Sequence, residues 1–544
     1  MPELHPAIIS NNLGLAFFNR GMFQEAEQAY RRAIDLVPTG AYAEAFNNLG
    51  IVLQQTNRLV EASTCYRRAM QISPVFSRAA SNMACVCEEI GRYDDAIKFY
   101  RHALRLEPGV GAIWHNLAGT LRETRRYIDA KAAYEKCLEL DPKNAQAHCS
   151  YVYTVDQDPS ATVEERRAIK QKWNDLHSLR GARPAPINPD PERRLRIGYV
   201  GGDFRLHSVA FAFADVLFGH DRKKFEVFCY SSTVREDDAT DKFQCSVDHW
   251  RRIVGKSDHE VAKYVRDDQI DILVDMSGYT AANRLTMFTL HPAPVQLHAW
   301  GYLNAPGIPS IPVTVMDDVL DPDGEHPHLP CVFHYRAPLG PDVNQLPALT
   351  TSHVTLGYLG RWSKVTAEVA ALWREVMAEI PNSRLVIKDK TFVSSERREK
   401  AIELLGIPAE RLETLVTTGH FDHLADHHRI DIGLDPWPTN GGVSTLEALW
   451  MGIPIVTMPG DRPSSRVGAS VMTTLGLSEF VANGAASYIG AVRNALHDRK
   501  RLNGIRLGMR ERMQSTVLGN AALYVAHLER LYRDLWRKAC RATS

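Results

Sequence analysis

The residues best equipped to hold an anion stand between 431 and 460, in DIGLDPWPTNGGVSTLEALWMGIPIVTMPG. A buried strand is expected over 430–434, a turn-forming loop over 435–442, a helix over 443–451 and a second buried strand over 453–458. Gly452 and Pro454 stop that helix cleanly. At its start, Asn440, Gly441 and Gly442 leave backbone amides bare of side chains. The first amides of a helix lack internal partners and carry the positive end of its dipole. A glycine loop leading from a parallel strand into such a helix suits a phosphate group. Ser444 and Thr445 add hydroxyl donors, and Glu447, about one turn further in, is placed to accept from a ribose hydroxyl. An ordinary strand–loop–helix turn capped by glycines fits the same letters. Residues elsewhere in the chain separate the two.

His207 lies in GYVGGDFRLHSVAF, just after a strand, where it either accepts a proton at a cleft mouth or caps a helix start. The letters GGDF match those of cyclic-dinucleotide synthases, but Arg205 stands where their next acid belongs, which excludes that chemistry. Lys364, in YLGRWSKVTAEV, enters at another strand end and could neutralise a diphosphate leaving group. As a plain surface lysine it would meet a mild penalty from the helix dipole. GHFDHLADHH gathers His420, His423, His427 and His428, with His423 and His427 four apart as in some metal sites. No cysteine pair or carboxylate-rich partner accompanies them, so no metal is expected, and a ring stacked on a nucleobase or simple exposure fits better. Asp321-Pro322-Asp323-Gly324 imitates an acid-x-acid metal motif but has the composition of a tight turn. Arg466, in DRPSSRVGAS, either clamps an anion or pairs with Asp461.

These residues need a scaffold, and 544 residues are too many for one core. Lysine plus arginine and aspartate plus glutamate each number 64, which removes the basic excess that nucleic acid demands. Nine cysteines without a CxxC pair point to buried free thiols in a reducing compartment. With no signal-peptide pattern and no membrane-length apolar run, a cytoplasmic protein that does not enter membranes is expected.

The first quarter repeats itself. YRRAIDLVP, YRRAMQISP, YRHALRLEP and YEKCLELDP end in prolines 38, 74, 108 and 142, spaced 36, 34 and 34 apart, with Thr39-Gly40 stretching the first interval. Each unit carries an alanine (Ala26, Ala62, Ala96, Ala130) and a tyrosine (Tyr30, Tyr66, Tyr100, Tyr134). A small or apolar pair (Leu13-Gly14, Leu49-Gly50, Met83-Ala84, Leu117-Ala118) completes it. This resembles the tetratricopeptide repeat, whose stacked helix pairs form a groove for an extended peptide or partner protein. His148, Tyr151, Val152 and Val155 continue the pattern as a capping partial unit. A capping box at 162–165 opens a helix to about Leu179, and RGARPAPINPDPERR is a linker. From Leu195 onward, strands alternate with helices: LRIGYV, FEVFCY, ILVDM, VQLHAW and VTVMD, then VTLGYLG, RLVIK, IDIGLD and IPIVTM. Two parallel sheets facing a cleft are expected, joined at 343–353, with an amphipathic helix over 521–538.

With these residues in place, the chain resembles the O-linked N-acetylglucosamine transferase family, including its plant SPINDLY branch. The likeness spans nearly the whole chain: an α-solenoid of tetratricopeptide repeats, then an α/β GT-B region of two Rossmann-like domains. GGDFRLHSVAF, VDMSGYTAANRLTMFTLHPAPVQLHAWGYLNAPG, the Lys364 segment, GHFDHLADHHRIDIGLD and the 431–460 stretch through SSRVGAS carry it, in order and spacing. It divides the chain into repeats (1–142), capping helices and linker (143–190), an N-terminal catalytic domain (191–345), a C-terminal nucleotide-sugar-binding domain (346–520) and a terminal helix (521–544).

The resemblance implies an inverting, metal-independent glycosyltransferase, without cofactor, that moves a sugar from a nucleotide sugar to Ser or Thr hydroxyls of proteins. His207 matches the family's cleft histidine, proposed as the base, and Lys364 matches the lysine that holds the diphosphate. His423 matches the histidine that stacks on the nucleobase. Glu447 occupies the ribose-binding acid position, and Gly301 and Tyr302 belong to the loop, through Gly307, that flanks the donor sugar. Gly442 and Val443 replace a His-Thr pair of the animal enzymes, and His420 replaces a lysine. UDP-N-acetylglucosamine is the first donor expected from the resemblance, but both departures weaken that expectation and leave GDP-fucose and UDP-glucose open. A 2-epimerase or small-acceptor transferase would have no use for the repeats. A decayed scaffold would not be expected to keep His207, Lys364 and Glu447 together.

Overall fold

The computed structural model describes residues 6–37, 42–336 and 339–542. The chain divides into two compact units, one of residues 1–154 with 390–397, the other of 155–389 with 398–544. Among the described residues no helix is long and apolar enough to cross a membrane. All nine cysteines are free thiols, most of them buried.

The first unit is built of paired helices: Pro6–Asn19 with Phe23–Asp35, Ala43–Gln55 with Leu59–Ile72, Ser77–Glu89 with Tyr93–Leu106, and Gly111–Glu123 with Tyr127–Leu140. The repeated letters have a steric cause. Ala26, Ala62, Ala96 and Ala130 are wholly buried, as are the four repeat tyrosines. In the first two repeats the tyrosine ring of the second helix lies against the glycine of the first. A Cβ on Gly14 would stand 2.7 Å from the Tyr30 ring, and one on Gly50 would stand 2.6 Å from Tyr66. Tyr66 and Tyr100 anchor their hydroxyls on Gln54 (2.9 Å) and Glu88 (2.8 Å). Amides join one repeat to the next: Asn48 donates to Asn11 at 3.0 Å and Asn82 to Asn47 at 2.9 Å. Pro74, Pro108 and Pro142 stand just past their helices, whereas Pro38, Thr39 and Gly40 lie outside the described residues. The helix Ala145–Gln157 adds the partial fifth element, with Tyr151 stacked on Tyr134 at 5.8 Å.

In the second unit the Thr162 hydroxyl caps the helix Val163–His177 by accepting from the Glu165 amide, and that helix stops two residues short of the expected Leu179. Two parallel sheets follow. Strands β1 (Leu195–Gly201), β2 (Phe225–Ser231), β3 (His249–Arg252), β4 (Ile272–Asp275), β5 (Val295–His298) and β6 (Val313–Thr314) run in the order β3-β2-β1-β4-β5-β6. Strands β7 (Val354–Tyr358), β8 (Ser383–Lys388), β9 (Leu412–Leu415), β10 (Ile432–Leu434) and β11 (Ile455–Val456) run β11-β10-β7-β8-β9. The sequence reading missed β3 and β9. Both are edge strands whose residues, HWRR and LETL, are largely wet and lack apolar runs. It also drew β10 and β11 too long, because flanking apolar residues are buried without joining the ladder. Residues 343–353 hold a single 3-10 turn, Pro347–Leu349. The last helix, Ala521–Arg541, packs back on the first sheet's lobe. Its Tyr524 hydroxyl accepts from Trp300 at 3.0 Å, and its Tyr532 accepts from Tyr199 at 3.2 Å.

Gly50→Ala should cost about 1–3 kcal/mol despite its gain in helix propensity, because the anchored Tyr66 ring cannot retreat. Gly490→Ala, in the helix Ala485–His497 with open space around it, should be neutral or stabilising. Urea unfolding of the two variants checks the contrast.

Candidate functional site

In each sheet the strand order reverses once, between β1 and β4 and between β7 and β10. Ligands of open parallel sheets bind beyond the carboxyl ends of the strands at such points. His207 follows β1, the Gly301 loop follows β5, Lys364 follows β7, and the glycine loop follows β10. The topology therefore delivers the singled-out residues to one end of both sheets.

The helix Val443–Trp450 starts at Gly442, which has no side-chain cap. Among the described residues the amides of Gly442, Val443 and Ser444 have no hydrogen-bond partner. A Cβ added to Gly442 would meet nothing within 4 Å, so the tip is open. Gly441 is closed in: a Cβ there would overlap the Thr445 hydroxyl, and its amide donates to Asp435 Oδ1 at 2.7 Å. Asn440 braces the loop, donating to the Pro436 carbonyl at 3.0 Å while its Oδ1 accepts from the Gly468 amide at 3.4 Å. Lys364 donates from Nζ to the Asn440 carbonyl. Burial, helped by the nearby Arg361 cation, pulls the Lys364 ammonium below the usual lysine range, while Asp435 works against that fall. Ser444 is half-buried and Thr445 buried beside it.

Glu447 is buried, with Oε2 3.3 Å from His423 Nε2. His427 is buried with its Nδ1 3.0 Å from the His423 carbonyl, and burial lowers its pKa to about 3. His423 and His427 thus pack edge to face, at 5.3 Å, instead of converging. Among the described residues no three histidine, cysteine or acidic side chains gather as a metal site requires. His420 stacks on Phe211 of the other lobe at 5.4 Å, the rings 14° apart, and burial lowers its pKa.

On the first lobe, His207 is half-buried, with Nδ1 3.4 Å from Asp203 Oδ1 and 3.4 Å from the Val209 amide. Burial lowers its pKa; Arg205 and Arg361 add to that and Asp203 opposes it. Arg361 therefore neighbours both His207 and Lys364. Gly301 lets its loop cross the chain just past β4, since a Cβ would overlap the Met276 carbonyl. Tyr302 is buried, and its carbonyl lies 2.6 Å from His298 Nε2, whose Nδ1 is 2.7 Å from Asp275.

Arg466 does not take the Asp461 partner offered to it by sequence. Its guanidinium donates to the carbonyls of Gly460 (2.9 Å) and Leu320 (3.1 Å), while Asp461 pairs with Arg166. It ties the two lobes together. The 321–324 segment is the tight turn expected, with the Gly324 amide on the Asp321 carbonyl at 3.2 Å and φ +69°. Sequence reasoning missed Asp435 and Phe211. The first is an acid just beyond a buried strand ahead of a glycine loop, a visible signal; the second hides in the apolar run AFAFADVLFG.

Known proteins match this arrangement. The profile of glycosyl transferase family 41 matches residues 143–327 and 349–528, and tetratricopeptide profiles match 6–74 and 90–150. A probable UDP-N-acetylglucosamine–peptide N-acetylglucosaminyltransferase SPINDLY of Petunia hybrida is 34% identical over 369 residues, 64% of this chain and 40% of that protein. Its Arabidopsis thaliana counterpart is likewise 34% identical over 369 residues, with 65% and 40% covered. The match thus spans about 40% of the length of these curated relatives. The solved structure of a mutant O-GlcNAc transferase from Thermobaculum terrenum superposes with a TM-score of 0.84 at 29% identity, covering 92% of this chain and 98% of that one.

Gly301→Ala should lower stability by about 1–3 kcal/mol through the clash with the Met276 backbone. A thermal melt unchanged from the parent would show that this loop does not need its close approach.

Proposed function

The chain belongs to glycosyl transferase family 41, and on that footing we propose that it transfers N-acetylglucosamine from UDP-N-acetylglucosamine to Ser or Thr hydroxyls of proteins. The observation that carries this reading is the open tip of the helix Val443–Trp450, with three amides unpartnered among the described residues and a half-buried lysine at the loop that feeds it. Amides and cation converge where a diphosphate would gain negative charge as it leaves, and preorganised donors of this kind are usually the largest catalytic term.

The reaction is a single displacement. The acceptor oxygen bonds to the anomeric carbon from the face opposite the diphosphate, the bond from that carbon to the phosphate oxygen breaks, and configuration inverts. His207 takes the hydroxyl proton. With the ring proton on Nδ1, turned to the Asp203 carboxylate 3.4 Å away, Nε2 is the accepting nitrogen. A pKa lowered by burial keeps the ring neutral, and so able to accept, at neutral pH. Lys364, the tip amides, Ser444 and Thr445 hold the departing diphosphate; Glu447 accepts from the ribose, and His423 offers its ring to the base. Gly301 and Tyr302 shape the donor-sugar loop, and Arg466 holds the lobes beside it. No metal or cofactor is assigned a part, and the repeats supply the surface for acceptor proteins.

A GDP-fucose donor, or UDP-glucose, is the second reading. Gly442 and Val443 supply no side-chain donor at the tip, and a stacked histidine, His420, stands where the animal enzymes carry a lysine.

Lys364→Ala should cut transfer of labelled sugar to protein about 10²–10³-fold while leaving partner binding by the repeats unchanged. Turnover equal to the parent would remove Lys364 from the mechanism. A thermal-shift panel of UDP- and GDP-sugars ranks the donors without an acceptor in hand, and stabilisation by GDP-fucose alone would overturn the UDP-N-acetylglucosamine assignment.

A further inference from the structure

Asp435 is a buried acid at the carboxyl end of β10, and the chemistry outlined above gives it no task. Both carboxylate oxygens are nonetheless engaged. Oδ1 accepts from the Gly441 amide at 2.7 Å and Oδ2 from the Thr457 hydroxyl at 2.7 Å. The main chain of Asp435 is equally fixed, with its amide on the Val456 carbonyl at 2.9 Å and its carbonyl accepting from Tyr488 at 3.1 Å. The fit around the carboxylate is close: a Cβ on Gly468 would stand 2.5 Å from Oδ2, and one on Gly441 3.2 Å from Oδ1. Asp435, Ser444 and Thr445 line one pocket beneath the helix tip.

We propose that Asp435 is a positioning residue for donor binding: clamped between the Gly441 amide and the Thr457 hydroxyl, its carboxylate sets the glycine loop on which Lys364 rests and stands there as the opposite charge. The inference rests on the reading of the tip as a diphosphate site. Turning the Gly441 amide inward leaves the three amides after it to face outward. An asparagine could imitate the hydrogen bonds, but only a carboxylate supplies the charge.

Charge therefore gives the test. Around Lys364 stand Arg361, which lowers its pKa, and Asp435, which raises it. Around Asp435 stand Lys364, Tyr358, Tyr488 and, on the same pocket wall, the neutral His427. Burial raises the Asp435 pKa, and the Gly441 amide, the Thr457 hydroxyl and Lys364 all pull it back. A lysine that must be protonated to bind a diphosphate loses affinity as pH rises through its pKa. In the parent that loss should begin below the ordinary lysine range of about 10. Removing the opposing carboxylate should bring it about one unit lower still.

The experiment is isothermal titration of the full chain with UDP and with GDP from pH 6 to 10, for the parent, Asp435→Asn and Thr457→Val. Asp435→Asn is expected to lose affinity at a lower pH than the parent while melting as a folded protein. An unmoved alkaline loss would overturn the positioning role and leave the diphosphate reading intact. A parent that binds neither nucleotide at any pH would overturn that reading and this inference with it. If Asp435→Asn does not fold, Thr457→Val decides. Freed at Oδ2 from its Thr457 donor, the carboxylate holds the Gly441 loop less firmly, so affinity should fall severalfold across the whole pH range. Affinity equal to the parent's would overturn the proposal.

Discussion

A helix cannot satisfy its own first amides, and at the Gly442 tip the second unit turns that deficit outward. The loop before Val443 spends its polar groups on itself: Asp435 takes the Gly441 amide, Asn440 reaches Pro436, and Lys364 rests on the Asn440 carbonyl. What remains unpaired are the amides of 442–444, beside an open surface. A phosphate is the kind of group that completes such an end. Every other assignment follows from this one, because it fixes where the donor lies and therefore which side chains can reach it.

The surrounding structure keeps that end in place against the opposite lobe. Arg466 spans the Gly460 and Leu320 carbonyls, Ser470 donates to Asp317 at 2.7 Å, and the Ser464 amide donates to Asn304 at 3.1 Å. Phe211 and His420 stack across the cleft. The His207 side therefore faces the Lys364 side with Arg361 near both, and His207 and Lys364 are both held at lowered pKa by burial. A base kept neutral and a cation at a half-buried loop are opposite protonation states, each set by its environment.

The repeats were legible because their rule is local: a buried alanine and tyrosine per unit, opposed by a small residue, recur at fixed spacing. The glycine tip, Lys364 and His207 were legible for the same reason, each lying just past a strand that its own apolar letters disclose. What stayed hidden depends on distant partners. Asp435 gains meaning only from Thr457 and Lys364, and Arg466 only from carbonyls on two lobes. Phe211 sits in a run whose composition says core, although its ring meets His420. The edge strands β3 and β9 were invisible because half-wet edges need no apolar alternation.

The central claim is that the amides of 442–444 and Lys364 grip the diphosphate of a nucleotide sugar. A crystal structure of the full chain with UDP or GDP bound tests it most directly. The account predicts phosphate oxygens within hydrogen-bonding distance of those amides and of the Lys364 ammonium. A nucleotide seated elsewhere, with the tip untouched, would contradict it.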